Sequence, residues 1–221
     1  MRKLVFLLFL LFLSTATVTA AESYTALWKQ YYAEAEEWHP RTGMALLDKI
    51  ITRATAEKEY GHLIKAQICR SSMMVQLSPD SFDIEVARME RAEATATEPV
   101  LKAVYATVLG KLYRDNYQYA NKGGYEAKYR ACFTRALQDK DRLAHTQARV
   151  YEPLVVRGGY ASVFDDDLLH VIGFEAQAYA ELRDYYAAHA NRHAACIMAG
   201  WAVTDNYNKV GQSANRAKQL Q

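Results

Sequence analysis

Residues Pro99 to Tyr113 read PVLKAVYATVLGKLY, and this stretch decides the fold class of the chain. Its apolar side chains recur at intervals of three and four residues, at Leu101, Val104, Tyr105, Val108, Leu109, Leu112 and Tyr113. That spacing places them on one face of a helix with 3.6 residues per turn. Thr97-Glu98-Pro99 fits a cap followed by a proline in the first helical turn. The stretch therefore predicts an amphipathic helix that is buried along one face.

The same helical spacing continues on both sides of this stretch, from Ser23 to Trp201. Turn signals divide it at His39-Pro40, Tyr60-Gly61, Ser78–Ser81, the Asn121–Gly124 loop and an irregular segment from Tyr151 to Phe164. Asp165–Asp167 opens a helix that carries Leu168 through Leu182, and a last helix holds Ala194 to Trp201. No segment shows the sustained alternation of a half-buried strand.

The starts of successive helix pairs recur at a nearly constant interval. They fall near Tyr24, His62 and Pro99, which are 38 and 37 residues apart. This period is typical of stacked helical hairpins, although the consensus letters of a tetratricopeptide repeat are absent. We therefore predict an all-α array of antiparallel helical hairpins, a tetratricopeptide-like solenoid, over residues 21–203. The polar segment 204–221 is predicted to be a disordered tail, and the Ala194–Trp201 helix to lack a covering neighbour.

The first 20 residues have the pattern of a secretory signal peptide. A basic start, Met1-Arg2-Lys3, precedes an apolar run from Leu4 to Leu13 and a small-residue segment that ends at Ala20. The apolar run is about half of the ~20 residues that span a bilayer, so an uncleaved anchor is the less favoured alternative. We expect cleavage after Ala20 and export to the periplasm or cell envelope, with only transient membrane contact.

The charge balance argues against binding to nucleic acid. The 221 residues include 27 Lys and Arg against 25 Asp and Glu, a net charge of +2, and loss of Arg2 and Lys3 with the leader makes it 0. A nucleic-acid-binding chain is usually strongly basic. The low content of turn residues, 10 Gly and 4 Pro, argues against a β-sandwich or barrel.

The three cysteines, Cys69, Cys132 and Cys196, form no close pair. A small exported domain stapled by disulfides carries more cysteines, usually in even number. Each of the three falls on an apolar helical face, which favours buried free thiols.

Three clusters could carry chemistry, but each has a simpler interpretation. His189 and His193 have the i, i+4 spacing of metal ligands, but Ala190 stands where a zinc peptidase needs Glu, so two surface histidines beside an interhelical turn are favoured. The run Asp165–Asp167 could bind a hard cation, but capping of the next helix is the commoner use. Glu34, Glu36 and Glu37 fit a solvated helix face.

From these clusters we predict no catalytic, cofactor-binding or metal-ligating residue, no cofactor and no small-molecule substrate. The chain is predicted not to be an enzyme. A metal-dependent enzyme built from His189, His193 and Asp165–Asp167 is the alternative that elemental analysis would test.

Over most of its first 200 residues the chain resembles the N-terminal helical region of the alpha-2-macroglobulin-like proteins of Bacteroidetes-type bacteria. The resemblance lies in diffuse helical positions that follow the leader, with the stretch from Asp167 to Glu175 the most telling. They are Tyr24, Leu27-Trp28-Lys29, Leu46–Ile50, Ala56-Glu57-Lys58, Leu112-Tyr113, Tyr151–Leu154, Asp167–Glu175, Tyr185-Tyr186, Asn191-Arg192 and Ala194-Ala195.

The resemblance implies a family that traps peptidases through a cleaved bait segment and, in many members, a Cys–Gln thioester. The chain is too short to hold the β-sandwich, bait and thioester domains, and none of its cysteines is followed by the thioester letters. We therefore predict a non-catalytic helical module of an endopeptidase-inhibitor family that acts through protein–protein contacts and does not trap peptidases alone. A free-standing periplasmic helical-repeat adaptor is the alternative.

Overall fold

A computed structural model of the chain describes residues 22–116 and 124–219, with side chains of the last helix described as far as residue 211. The predicted signal peptide and most of the Asn121–Gly124 loop lie outside these residues. The described part is all-helical and contains no β-strand, which confirms the predicted all-α class. A single antiparallel bridge joins Gln147 to Asp167.

Ten α-helices occur within the described residues, and three short 3-10 helices connect some of them. The α-helices are α1 (Tyr24–Glu36), α2 (Pro40–Glu57), α3 (Tyr60–Leu77), α4 (Phe82–Thr95), α5 (Pro99–Asp115), α6 (Tyr125–Ala136), α7 (Lys140–Ala144), α8 (Leu168–Glu175), α9 (Tyr179–Ala188) and α10 (Arg192–Gln219). The 3-10 helices are Pro79–Ser81, Ala148–Tyr151 and Ala161–Phe164.

Several helix ends follow from local sequence. Ser23 caps α1 by accepting a hydrogen bond from the backbone N–H of Ala26. Pro40 and Pro99 stand in the first turns of α2 and α5, where a missing N–H costs nothing. The breaks predicted at these two prolines are confirmed.

The break predicted at Tyr60-Gly61 is wrong in position and in cause. Helix α2 ends at Glu57 and is closed by Lys58 in a left-handed conformation, with φ of 59°. Gly61 lies inside α3, where a Cβ atom would stand 2.2 Å from the backbone oxygen of Glu152. Its absent side chain therefore lets α3 pack on the 3-10 helix Ala148–Tyr151.

The segment from Leu168 to Leu182, predicted as one helix, forms two. Helix α8 ends at Glu175, and Gln177 reverses the chain with a φ of 55° before α9 begins at Tyr179. The close packing of Leu182 against Gly173, where a Cβ would lie 2.1 Å from Leu182 Cδ2, shows how tightly the two helices meet. The sequence does not indicate this reversal, because Gln is not one of the residue types that readily take a left-handed conformation.

The last helix also differs from the prediction. Ala194, Ala195 and Met198 are buried, because α10 packs on α9, so the Ala194–Trp201 stripe does have a covering neighbour. The polar segment that was predicted to be disordered from residue 204 continues α10 as a helix to Gln219. The end of this segment, residues 212–219, contains mostly Ala, Lys, Gln and Arg, which are good helix formers.

The buried side chains form two clusters. The smaller one joins α1, α2 and α3 through Leu27, Trp28, Leu47, Ile50 and Met73, among others. The larger one begins at Ile64 of α3 and runs through α5 to Met198 of α10. Each of the first five helices packs against the next, and α5 also contacts α8. None of the described helices is long and apolar enough to cross a membrane.

Candidate functional site: an apolar groove between α5 and α8

A groove of about 410 Å³ opens to solvent where α5, α8 and the segment Leu154–Val156 meet. Its walls are mainly aliphatic. They comprise Ile68, Val104, Thr107, Val108, Lys111, Leu112, Asp115, Leu154, Val155, Val156, Leu168, Val171, Ile172 and Glu175. Val156 stands at its edge with 83% of its surface exposed. A concave apolar surface with few polar groups is what binding sites generally present. We call this feature the α5–α8 groove.

An ion pair on the rim of the groove ties its two walls together. Lys111 Nζ of α5 lies 2.5 Å from Glu175 Oε2 at the end of α8. Arg114 also donates to the Glu175 carboxylate and to its backbone oxygen, which is one of the last carbonyls of α8. Because these cations sit at a helix C-terminus, they complement its partial negative charge. The contacts fix the spacing of α5 and α8 and hence the width of the groove.

A smaller polar pocket of about 280 Å³ adjoins the groove and shares Val155, Val156 and Val171 with it. Arg157 makes a two-point contact with Asp166 there, with nitrogen–oxygen distances of 2.6 and 3.1 Å. This guanidinium holds the pKa of Asp166 below its usual range. Arg149 and Glu152 also line the pocket, so its charges of both signs balance.

The floor of the polar pocket rests on a buried hydrogen-bond network. Asp167, which is 3% exposed, caps α8 by accepting from the backbone N–H of His170 at 2.8 Å. The same carboxylate accepts from His170 Nδ1 at 2.9 Å and from the Tyr186 hydroxyl at 2.8 Å. Burial and the adjacent carboxylate raise the pKa of Tyr186. Every buried polar group here has a partner, so the network locks α8 to α9.

The network holds an imidazole beside a carboxylate, as acid–base sites do. His170 is stacked on Phe164, with ring centroids 4.9 Å apart. The described residues that line the polar pocket include no Ser, Thr or Cys that His170 could activate as a nucleophile. What the contacts show is that the network positions α8 against α9.

The three residues of the acidic run Asp165–Asp167 have three different roles. Asp167 is the helix cap that the sequence interpretation favoured. Asp166 pairs with Arg157, and Asp165 takes a left-handed conformation near Asn191. The three carboxylates therefore do not converge on one point.

His189 and His193 lie on the surface on either side of the α9–α10 turn, in agreement with the sequence interpretation. Ala190 stands between them in a left-handed conformation, with φ of 61°, so the two residues do not share a helical face. His189 Nδ1 lies 2.8 Å from the Tyr185 backbone oxygen. Within the described residues, no three His, Cys, Asp or Glu side chains are placed to hold a metal ion.

Glu34, Glu36 and Glu37 lie at the end of α1, where Glu36 and Glu37 are exposed. Glu34 Oε2 lies 3.1 Å from His39 Nδ1, across the turn into α2. The three glutamates thus form a largely solvent-exposed helix end.

The three cysteines are free, but they are not alike. Cys132 is buried and Cys69 is half-buried, and burial raises the pKa of both thiols. Cys196 is exposed, so the expectation of a buried thiol at this position is wrong. The reason is that α10 turns Ala194, Ala195 and Met198 toward the core and Cys196 away from it.

The α5–α8 groove was not foreseen from the sequence. Its residues come from segments that are far apart along the chain, and only the helical contacts bring them together. The sequence marks Asp167–Glu175 as the main part of the family resemblance, but it indicates no role for His170. A comparison of the chain with protein-family models, with curated proteins and with solved structures found no match.

Proposed function

We propose that the chain is a non-catalytic helical module that acts through protein–protein contacts. The observation that carries this proposal is the α5–α8 groove, an open apolar trough whose charged rim groups, Lys111, Arg114 and Glu175, are already paired with one another. Asp115, which also lines the groove, pairs with Arg114, so the two cations and two carboxylates balance. Because the walls are aliphatic and these charges are balanced, the groove suits an apolar segment of a partner protein better than a charged one.

We also propose that the helices form antiparallel hairpins in a tetratricopeptide-like array. The helices that open the first three pairs begin at Tyr24, Tyr60 and Pro99, which are 36 and 39 residues apart. Contacts between consecutive helices from α1 to α6 support the idea, since repeat arrays bury their faces mainly against sequence neighbours.

We also propose that residues 1–20 act as a leader for export and that the mature chain is located in the periplasm or cell envelope. The leader pattern of the sequence supports it. Intact-mass measurement of the protein recovered from a bacterial periplasm tests it. The expected mass is that of residues 21–221, and recovery of the full-length chain from the membrane would contradict it.

The resemblance to the N-terminal helical region of alpha-2-macroglobulin-like endopeptidase inhibitors supplies the proposed setting. In that setting the chain docks to other domains or partners of the inhibitor and does not trap peptidases alone. The alternative is a free-standing periplasmic adaptor with the same fold. Coding sequence for β-rich domains directly downstream supports the first setting, and an unrelated neighbouring gene supports the second.

A groove variant tests the contact proposal directly. We expect Val156→Glu, which puts a charge at the mouth of the groove, to abolish specific crosslinks between the chain and envelope proteins of its own host. Ile84→Glu is the matched control, because Ile84 of α4 is 60% exposed and does not line the groove. Equal crosslinking by the two variants would show that the groove is not the contact surface.

A further inference from the structure

His62 lies at the junction between α1 and α3. It stands in the first turn of α3, and its imidazole contacts two aromatic rings that are one helical turn apart on α1. The Tyr24 ring is stacked on the imidazole with ring centroids 3.9 Å apart, and the centroid of the Trp28 ring lies at 6.4 Å. Since α1 packs mainly on α2, His62 is one of the few points at which α3 holds α1.

The hydrogen bond between Trp28 and His62 fixes the protonation state of the imidazole. Trp28 Nε1 donates to His62 Nδ1 across 2.8 Å. An indole N–H can only donate, so Nδ1 accepts with its lone pair and the ring proton is on Nε2. The imidazolium carries a proton on both nitrogens and therefore cannot make this bond. Trp28 is 7% exposed, so protonation of His62 leaves a largely buried N–H without its acceptor.

The surroundings of His62 disfavour its protonation. Partial burial, followed by the cations Lys65 of α3 and Arg53 of α2, holds the pKa of His62 below its usual range. Two carboxylates, Glu59 at the start of α3 and Glu57 at the end of α2, act in the opposite direction. The first turn of a helix also carries a partial positive charge, which disfavours an imidazolium at this position.

Tyr24, which is stacked on His62, is a poor partner for an imidazolium. The face of an aromatic ring attracts a cation. However, the Arg53 guanidinium already lies 4.3 Å from the centroid of the Tyr24 ring, and it would repel a second cation there. The Tyr24 hydroxyl donates to Glu57 at 2.8 Å, and Arg53 pairs with the same carboxylate. Glu57 is therefore already engaged by both groups.

We propose that His62 is a pH-sensitive latch, which holds α1 on α3 at neutral pH and loosens it in mild acid. Protonation at Nδ1 turns an acceptor into a donor that faces the Trp28 N–H, so the bond breaks. Loosening of α1 uncovers the smaller buried cluster, to which this helix contributes Leu27, Trp28 and Tyr31. The latch is separate from the α5–α8 groove, which His62 does not line.

The direction of the pH dependence follows from the pKa of His62 in the two states. The pKa of a free histidine is about 6.5. Since the pKa of His62 is lower when α1 is in place, opening of α1 takes up a proton as the pH falls below this value. The contact is therefore complete above about pH 6.5, and the opening equilibrium increases by up to about tenfold for each pH unit below it until the lower pKa is reached.

Hydrogen exchange of the α1 amides in the wild type and in His62→Asn tests the latch. The Asn side chain places an amide oxygen close to the position of Nδ1, so the variant keeps an acceptor for Trp28 but does not titrate. Intrinsic exchange rates change with pH, but they cancel in the ratio of the two proteins. We expect the wild-type rate, divided by the variant rate, to rise about 3- to 30-fold between about pH 7.5 and 5.

His193→Asn is the matched control, because His193 is an exposed histidine at the start of α10. The wild-type rate divided by the rate of this control is expected to be the same at both pH values. A ratio of wild type to His62→Asn that does not change with pH either would overturn the proposal.

Nuclear magnetic resonance of the wild type gives a second test that does not depend on folding of a variant. Long-range proton–nitrogen spectra identify which imidazole nitrogen carries the proton. We expect His62 to carry it on Nε2 at neutral pH and to titrate with a midpoint below about 6.5. A proton on Nδ1, or a midpoint at or above that value, overturns the proposal.

Discussion

Gly61 shows how a single missing side chain sets the packing of two distant segments. Helix propensity alone predicts that Gly61→Ala stabilises α3 by about 1 kcal/mol. The structure predicts the opposite, because the new Cβ would lie 2.2 Å from the Glu152 oxygen and 2.4 Å from the Tyr151 carbonyl carbon, which are both backbone atoms. We expect a net loss of about 1–3 kcal/mol in the free energy of unfolding.

Urea denaturation of Gly61→Ala measures this loss. Gly158→Ala is the matched control, since a Cβ at Gly158 meets nothing within 4 Å. A Gly61→Ala chain as stable as the wild type would mean that α3 does not approach Tyr151 as closely as described.

Asp167 is the residue on which the α8–α9 junction depends. Asp167→Ala removes the cap of α8 and leaves the buried Tyr186 hydroxyl and His170 Nδ1 without their acceptor. Each loss of this kind costs about 1–3 kcal/mol, so we expect a destabilisation of about 2–5 kcal/mol. Thermal unfolding measures it.

Asp166→Asn serves as the comparison for Asp167→Ala. It removes a carboxylate charge from the adjacent position, but the pair with Arg157 that it weakens is partly exposed to solvent. The change in its melting temperature is expected to be much smaller, and equal changes in the two variants would argue against a special role for the buried network.

At the scale of the elements, helices differ in how much of their surface is buried. Most residues of α5 from Leu101 to Tyr113 are buried, whereas most of residues 203–211 in α10 are exposed. Opening of a helix to solvent costs least where few apolar contacts are lost. In dilute solution we expect backbone amides of residues 204–211 to exchange at least about a hundredfold faster than those of α5.

Hydrogen exchange followed by mass spectrometry resolves these two segments. The first turns of α10, which carry Ala194 and Met198, provide an internal reference, because they pack on α9 and are expected to exchange slowly. Protection of residues 204–211 equal to that of α5 in a monomeric sample would contradict the expectation.

The elements also show what sequence can and cannot reveal. Pro40, Pro99 and the cap at Asp167 were predictable, because their effects act within one helical turn. The chain reversals at Lys58 and Gln177 were not, since neither residue type favours a left-handed conformation. The α5–α8 groove depends on contacts such as Lys111 with Glu175, 64 positions apart, which periodicity does not specify.

At the scale of the whole molecule, buried tyrosines make the free energy of unfolding depend on pH. Burial raises the pKa of Tyr31, Tyr113, Tyr151 and Tyr186. The pKa of a tyrosine in the unfolded chain is about 10. Since the folded pKa is the higher one, the unfolded chain loses its protons first, and this source of stability is complete below pH ~10 and declines above it.

Tyr186 makes this dependence testable at one position. Each tyrosine that stays protonated only in the folded state lowers the free energy of unfolding by about 1.4 kcal/mol per pH unit above pH ~10. Tyr186→Phe removes one such group, which is 3% exposed and donates to Asp167. We therefore expect the variant to be less stable than the wild type at neutral pH but to lose stability less steeply between about pH 10 and 11.5.

Urea unfolding across this range measures how steeply the free energy of unfolding falls with pH. Tyr160→Phe is the control for loss of an exposed hydroxyl, since Tyr160 is 62% exposed. Equal slopes for wild type and Tyr186→Phe would show that Tyr186 does not link folding to alkaline pH.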